Sequence, residues 1–116
     1  MVTLALVLTL STGASDEGIV EAPSLVKYGS YYFLFFSSGC YTTGAYTVSY
    51  ATSTSITGQY TRASSTLFST GTDGLSAPGG ADIYKDGGHL LFHANYGSGR
   101  ALYQATVTIN GQSVSA

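Results

Sequence analysis

The chain has 116 residues, of which 44% are hydrophobic and 13% aromatic, a composition too apolar for a disordered segment. Only 9% of the residues are charged, against about 25% in an average domain, which favours an extracellular protein or one with a large covered interface. The net charge is −2 and the four basic residues are scattered along the chain, so the sequence argues against a nucleic-acid partner.

The first predicted element is an apolar run over residues 2–10. This run is too short to span a bilayer, and we predict no membrane partner. We interpret it as a β-strand that is followed by a turn at residues 11–16. The alternative is the apolar part of a signal peptide with cleavage near Ala14, but no basic residue precedes the run and Thr3 and Thr9 interrupt it.

The rest of the chain has the composition of β-strands, and no segment shows the apolar spacing of a long amphipathic helix. Residues 31–37 are apolar on both faces, so this strand is expected to be covered on both sides. Hairpin turns are predicted at 86–88 and 110–111. The predicted strands are 20–27, 31–37, 46–53, 59–63 with an extension to 68, 80–85, 89–95, 100–108 and 113–116.

The chain also repeats itself at an offset of roughly 50–60 residues, which is the length of one four-stranded propeller blade. The paired segments are 20–25 (VEAPSL) with 76–81 (SAPGGA), 32–37 (YFLFFS) with 89–94 (HLLFHA), 48–52 (VSYAT) with 102–106 (LYQAT), and 57–59 (TGQ) with 110–112 (NGQ). In this alignment, Ser76 is the counterpart of Glu21.

We therefore predict an all-β, β-propeller-type fold of four-stranded antiparallel blades. The predicted organisation is a leading strand and turn at 1–18, a first blade at 19–69 and a second blade at 70–116. Because propellers close with about four to eight blades, two blades make an incomplete ring. Open blade edges and uncovered apolar faces then predict a homo-oligomer or a filament.

Glu21 is the sharpest candidate for chemistry, because it lies among apolar residues directly before Ala22 and Pro23. A carboxyl in that setting is either desolvated at a cleft, which keeps it protonated as a general acid requires, or solvated at the start of a strand. The exposure habits of carboxylates favour the second alternative. Asp82 lies in the matching strand of the second repeat, where an exposed strand-end residue is the ordinary interpretation.

Three other residues have two interpretations each. His93 lies inside an apolar strand, where a hydrogen-bonded core histidine is favoured over a ligand-binding one. Arg100 follows a Gly-Ser-Gly segment and is either a surface residue or a rigid fork of donors for ligand hydroxyls. Cys40 is the only cysteine, without a partner for a disulfide or a structural zinc site, and is interpreted as a packing residue.

An ordered set of segments resembles the family-43 glycoside hydrolases, five-bladed propeller enzymes that act on arabinose- and xylose-containing polysaccharides. Fungal secreted members are the most similar in character. The resemblance extends from about residue 19 to the end of the chain, and more loosely through the first predicted strand. The segments that carry it are 20–27 (VEAPSLVK), 31–38 (YYFLFFSS), 48–52 (VSYAT), 58–60 (GQY), 77–80 (APGG), 91–94 (LFHA) and 99–103 (GRALY).

The resemblance implies that Glu21, in the Glu-Ala-Pro segment, is the general acid of an inverting reaction. In such a reaction the acid protonates the leaving oxygen while a base activates water on the far side of the sugar. The family's base, and a second aspartate that orients the acid, belong to blades that precede the part matched here. We assign substrate binding to Arg100 and His93, the latter matching a histidine common in the family's last blade.

Metal binding is the point on which the chain departs from the family. Many members carry a histidine near a central metal at the position of Gly80. We therefore predict no metal and no other cofactor, with calcium as an alternative that Gly80 disfavours.

The sequence thus predicts an extracellular glycoside hydrolase fragment that binds carbohydrate and carries the acid without its base. Alone, such a chain is expected to be inactive or very weakly active. The alternatives are a non-catalytic, lectin-like glycan-binding module and a self-assembling structural module.

Overall fold

The computed structural model describes residues 4–8 and 16–116, and strands dominate the regular structure of this part of the chain. A short 3-10 turn, Thr72–Gly74, lies in the connection between the two groups of strands. The strands are β1 Val20–Tyr28, β2 Tyr31–Ser38, β3 Thr47–Ser53, β4 Thr61–Arg62, β5 Gly79–Ile83, β6 His89–Tyr96, β7 Gly99–Thr106, β8 Thr108–Asn110 and β9 Ser113–Ser115.

The strands form two antiparallel meanders in chain order. The first sheet has the order β1-β2-β3-β4, the second has the order β5-β6-β7, and β8 pairs with β9 in a separate hairpin. A meander of this kind is the building unit of a propeller, and the predicted all-β, propeller-type fold is confirmed. Among the described residues, no helix is long and apolar enough to cross a membrane.

The core lies between the two sheets and continues on the far face of β2. Phe33 and Phe35 on β2 are completely buried in a cluster shared with side chains of β6. Phe36 lies in a second cluster, which residues 7 and 8 help to cover. The strand is therefore covered on both faces as predicted, and this chain supplies both covers.

The predicted strand at 2–10 is wrong where it can be compared. Residues 4–8 form no strand, and residues 9–15, with Ala14 and most of the predicted turn, lie outside the described residues. Hydrogen bonds from Gln59 and Tyr60 to backbone carbonyls hold the segment beside the first sheet. An apolar run alone does not make a strand, because a strand also needs a partner along its backbone.

The fourth strands of the two predicted blades also differ from expectation. In the first sheet only Thr61–Arg62 is paired, and a single bridge between Val48 and Phe68 takes the place of the longer extension. In the second, residues 113–116 are not a sheet edge, since β9 pairs with β8. Val107, between β7 and β8, still donates its N–H to the Gly88 carbonyl at 3.0 Å, beside the start of β6. The boundary drawn between residues 69 and 70 stays a prediction.

Candidate active site at the bulged ends of β1 and β5

Glu21 lies beside a β-bulge near the start of β1. Glu21 pairs with Ser37 and Ser24 pairs with Phe35, so β1 has one residue more than β2 over this stretch. The bulge contains Ala22, whose φ of 56° is left-handed and unusual for a residue with a Cβ. Bulges re-aim neighbouring side chains, and Glu21 is exposed here.

β5 carries the same bulge, with different side chains. Gly79 pairs with His93 and Asp82 with Leu91, and Gly80 takes the left-handed conformation with a φ of 65°. By sheet register, the counterpart of Glu21 is therefore Gly79, and the sequence alignment with Ser76 is wrong by three residues. The two Ala-Pro segments are not structurally equivalent. Ala22-Pro23 forms the bulge of β1, whereas Ala77-Pro78 comes before the bulge of β5.

The side chain of Tyr46 lies between the two bulges. It is only 2% exposed, and its hydroxyl donates to Glu21 Oε2 at 3.4 Å. A Cβ placed on Gly79 would lie 1.9 Å from Tyr46 Cε2, so the ring occupies the space that any other residue at 79 would need. Burial raises the pKa of Tyr46 above its usual 10.0, and the Glu21 carboxylate adds to this rise.

Arg100 and His93 form a bonded pair on the second sheet. Arg100 Nε donates to His93 Nδ1 at 2.7 Å, and the two Nη atoms donate to Asn95 Oδ1 at 2.6 Å, the Ala77 carbonyl at 2.6 Å and the His93 carbonyl at 3.2 Å. Four of the five N–H groups of a guanidinium are thus engaged within the chain. Burial, and then the Arg100 charge, lower the pKa of His93 below 6.5.

The hydrogen bond from Arg100 determines the protonation state and tautomer of His93. A neutral imidazole that accepts a hydrogen bond at Nδ1 carries its proton on Nε2. His93 is therefore a neutral ring with one N–H donor, packed beside Tyr46 at a centroid distance of 6.0 Å. A Cβ on Gly80 would lie 2.3 Å from His93 Nε2, so the glycine makes room for this ring.

The residues at this site do not fit the metal found near the axis in many family members. Gly80 has no side chain to offer, and a histidine there would collide with His93. His93 itself has one nitrogen engaged by a cation and a proton on the other. No group of three or more potential metal-ligating side chains occurs among residues 4–8 and 16–116.

The two other predicted candidates, Asp82 and Cys40, bond to residues other than Glu21. Asp82 is exposed and accepts a hydrogen bond of 2.6 Å from Ser24 Oγ, which joins β5 to β1 beyond the bulge. Cys40 is partly exposed and lies 3.0 Å from the Thr42 hydroxyl. The structure thus brings Glu21, His93 and Arg100 into one region around Tyr46.

Sequence analysis did not identify Tyr46 or Ser37 as site residues. Tyr46 is one of ten tyrosines, and its position just before β3 predicted only a strand. Ser37 is the last residue of the predicted strand 31–37 and received no role of its own. The available signal was the repeat, since Ser37 occupies the place that His93 takes in the second copy.

The chain matches one known family and several solved structures. The model of the glycosyl hydrolases family 43 matches residues 4–112. No curated protein matches the chain. An arabinanase from Bacillus subtilis is 27% identical with a TM-score of 0.79, over 100% of this chain and 43% of that one.

Two further solved structures are similar. An endo-1,4-beta-xylanase from Bacteroides thetaiotaomicron is 30% identical with a TM-score of 0.71, over 84% of this chain and 37% of that one. A thermostable family-43 glycoside hydrolase has a TM-score of 0.80 over 96% of this chain and 40% of that one, and at 20% identity it supports the fold alone. The chain spans about two fifths of the length of these relatives, and it belongs to glycoside hydrolase family 43.

Proposed function

We propose that this chain is the acid-bearing part of a glycoside hydrolase that acts on arabinose- and xylose-containing polysaccharides with inversion. The observation that carries the proposal is the placement of Glu21. Its carboxyl is exposed at the bulge of β1 and receives the Tyr46 hydroxyl, in a chain that belongs to family 43. The relatives named as an arabinanase and a xylanase support the substrate class.

Glu21 protonates the oxygen of the leaving group in this proposal. An inverting reaction also needs a base about 6.5–9.5 Å from the acid to activate water. Asp82 accepts the Ser24 hydroxyl on β1, three residues beyond Glu21, and the proposal does not assign it the role of base. The chain spans about two fifths of the length of its relatives, and the proposal assigns the base to the remaining part of such an enzyme.

His93 and Arg100 bind the substrate in this proposal, each with one donor. His93 offers its Nε2–H, and Arg100 offers the one N–H that its four acceptors within the described chain leave over. Because the rest of the guanidinium is engaged internally, Arg100 is held in one orientation before a sugar arrives. Neutral donors and a fixed cation suit sugar hydroxyls, which accept hydrogen bonds.

The test supplies a substitute for the missing base. The full chain is incubated with phenyl α-arabinofuranoside and phenyl β-xyloside, whose leaving groups need protonation, with and without sodium azide. Azide attacks the anomeric carbon, the bond to the phenolic oxygen breaks, and Glu21 gives that oxygen its proton. Without azide, we expect turnover at least about 10²-fold below that of an intact family enzyme, because the base is missing.

Glu21→Gln is expected to abolish the azide-supported turnover. Glu17→Gln is the matched control, because Glu17 is an exposed carboxylate that serves the Cys40 N–H and the Thr43 hydroxyl in a loop. Equal turnover in wild type and Glu21→Gln would contradict the acid role. Absence of turnover with azide would also contradict it and would leave the glycan-binding function.

One observation favours that second function, a glycan-binding module without catalysis. The side chain that bonds to Glu21 in the described part of the chain is a tyrosine, Tyr46, and not a second carboxyl. Isothermal titration with arabino- and xylo-oligosaccharides measures binding directly. A glycan-binding module binds with unchanged affinity after Glu21→Gln and loses affinity after Arg100→Met.

Self-association and an extracellular location are also proposals. Leu91 and Leu102 lie on the outer face of the second sheet, where Leu102 is 81% exposed. A second copy that covers this face would give an oligomer or a filament. Light scattering at tens of micromolar should show more than one chain per particle, and Leu102→Lys should lower the mass. Ile56→Lys, in an exposed loop, is the control, and a wild-type monomer would contradict the proposal.

A further inference from the structure

We propose that Tyr46 is a positioning residue for Glu21: its hydroxyl holds Oε2 and leaves Oε1 as the oxygen that carries the proton. The inference rests on the proposed general-acid function of Glu21. The observation behind it is a buried phenol whose hydroxyl is directed at the exposed carboxyl from 3.4 Å. Catalytic hydrogen bonds are often this long before a substrate binds.

The position of the Tyr46 ring is determined by packing. Gly79 lies directly against one edge of the ring, and no other residue type would fit there. The His93 ring and the Arg100 guanidinium lie 6.0 and 5.7 Å from its centroid. Arg100 and His93 are bonded to each other, so the ring lies against a pair of side chains that are themselves held in place. The second sheet therefore fixes the place of a hydroxyl that serves an acid on the first sheet.

Ser37 lies near the Tyr46 hydroxyl from the β2 side. The Gly80 N–H donates to Ser37 Oγ at 2.7 Å, so that oxygen is an acceptor and its own proton is available to a neighbour. Burial raises the pKa of Tyr46, and the Ser37 hydroxyl opposes this rise, as a donor near a phenolic oxygen does. The proton of Tyr46 itself is directed at Glu21.

The phenol also stays a donor at any pH at which a glycosidase works, since burial raises the pKa of Tyr46 above 10.0. A donor to Oε2 makes that oxygen the carbonyl-like one when the carboxyl is protonated. The acidic proton then resides on Oε1, the oxygen that Tyr46 does not hold. The effect of Tyr46 is thus to select the donating oxygen and its direction.

The experiment uses His93 as a reporter of where the Glu21 carboxylate lies. The Glu21 charge raises the pKa of His93, so Glu21→Gln should lower that pKa in the wild-type background. If Tyr46 holds the carboxylate in place, the same substitution in a Tyr46→Phe background should give less than about half of that shift. The pKa of His93 is measured by NMR titration of the imidazole in the full chain.

Tyr60→Phe is the matched control background. Tyr60 is also buried, but its hydroxyl donates to the Ile56 carbonyl, so the full Glu21→Gln shift should remain. An equal shift in the wild-type and Tyr46→Phe backgrounds would overturn the inference. Should Tyr46→Phe fail to fold, Tyr46→Met replaces it, because methionine adapts to irregular space and has no hydroxyl to offer Glu21. An undiminished shift in that background overturns the inference in the same way.

This readout separates the two proposals, because it needs no hydrolysis. Suppose that Glu21→Gln abolishes the azide-supported reaction but lowers the pKa of His93 equally in the wild-type and Tyr46→Phe backgrounds. The positioning role of Tyr46 would then be rejected, and the acid function of Glu21 would stand. A reduced His93 shift without any turnover would reject the acid function and keep the hydrogen bond.

Discussion

The inner strands β1 and β5 share a backbone and differ in their chemistry. Both pair antiparallel with the next strand, and both place a left-handed residue in a bulge that sets two residues against one, Ala22 in one strand and Gly80 in the other. At the position before the bulge, β1 presents an exposed glutamate and β5 a buried glycine. The repeat thus preserves the shape of the strand, and the site arises where the two copies differ.

The side chains that one sheet lacks leave room for side chains that complete the site. The missing side chain at Gly79 makes the space for Tyr46, whose hydroxyl serves Glu21. Likewise, the place of Ser37 on β2 is taken on β6 by His93, which needs the room left by Gly80. Substitutions at matching positions should therefore have unequal effects.

The largest difference in the free energy of unfolding is expected between Gly79→Ala and Glu21→Gln. A Cβ at 79 would lie 1.9 Å from the Tyr46 ring, and overpacking of this severity should lower the free energy of unfolding by about 3 kcal/mol. Glu21 is exposed, so its replacement should change stability by less than about 0.5 kcal/mol. Urea denaturation measures both, and similar losses would show that the two positions are not differentiated by packing.

A smaller difference in stability is expected between substitutions of the two left-handed bulge residues, Gly80 and Ala22. Gly80→Ala places a Cβ 2.3 Å from His93 Nε2 at a φ of 65°, and strain with overpacking should cost about 2 kcal/mol. Ala22→Gly relieves a left-handed alanine and should change stability by less than about 1 kcal/mol, in the stabilising direction. Denaturation midpoints compare the pair. A stabilising Gly80→Ala would mean that His93 is not held where the pairing with Arg100 places it.

The smallest effect is a pH dependence of the free energy of unfolding that arises from His93 in the second sheet, where the first sheet has Ser37. The pKa of His93 is lower in the folded chain than its ordinary 6.5, so on acidification the unfolded chain takes up the proton first. The free energy of unfolding should then fall as the pH drops below about 6.5, and level off below the folded-state pKa of His93.

His93→Gln provides the comparison for this effect. Glutamine keeps an acceptor for Arg100 and removes the titrating imidazole at position 93. His89 is present in both the wild type and the variant. Stability is measured by urea denaturation at about pH 7 and about pH 5.5, above the range in which the carboxylates titrate. The same pH dependence in wild type and His93→Gln would assign the effect to another group.

The sequence alone was enough for the fold class and the family. Strand composition, glycine-containing turns and the repeat predicted all-β sheets, and β1, β2, β3 and β6 lie close to the predicted ranges. The Glu-Ala-Pro segment and its ordered neighbours predicted family 43, which the match over residues 4–112 confirms. These features are local or ordered along the chain, so they can be read without knowing which strands meet.

Tertiary structure alone decided the partners of each strand and the make-up of the site. β9 pairs with β8 instead of adding a fourth strand to the second sheet. The true counterpart of Glu21 depends on sheet register, which one extra residue in a bulge displaces from the sequence repeat. Tyr46 reaches Glu21 only because Gly79, 33 positions further along the chain, has no side chain. Contacts of that kind are absent from local sequence patterns, since they exist only after two sheets have packed.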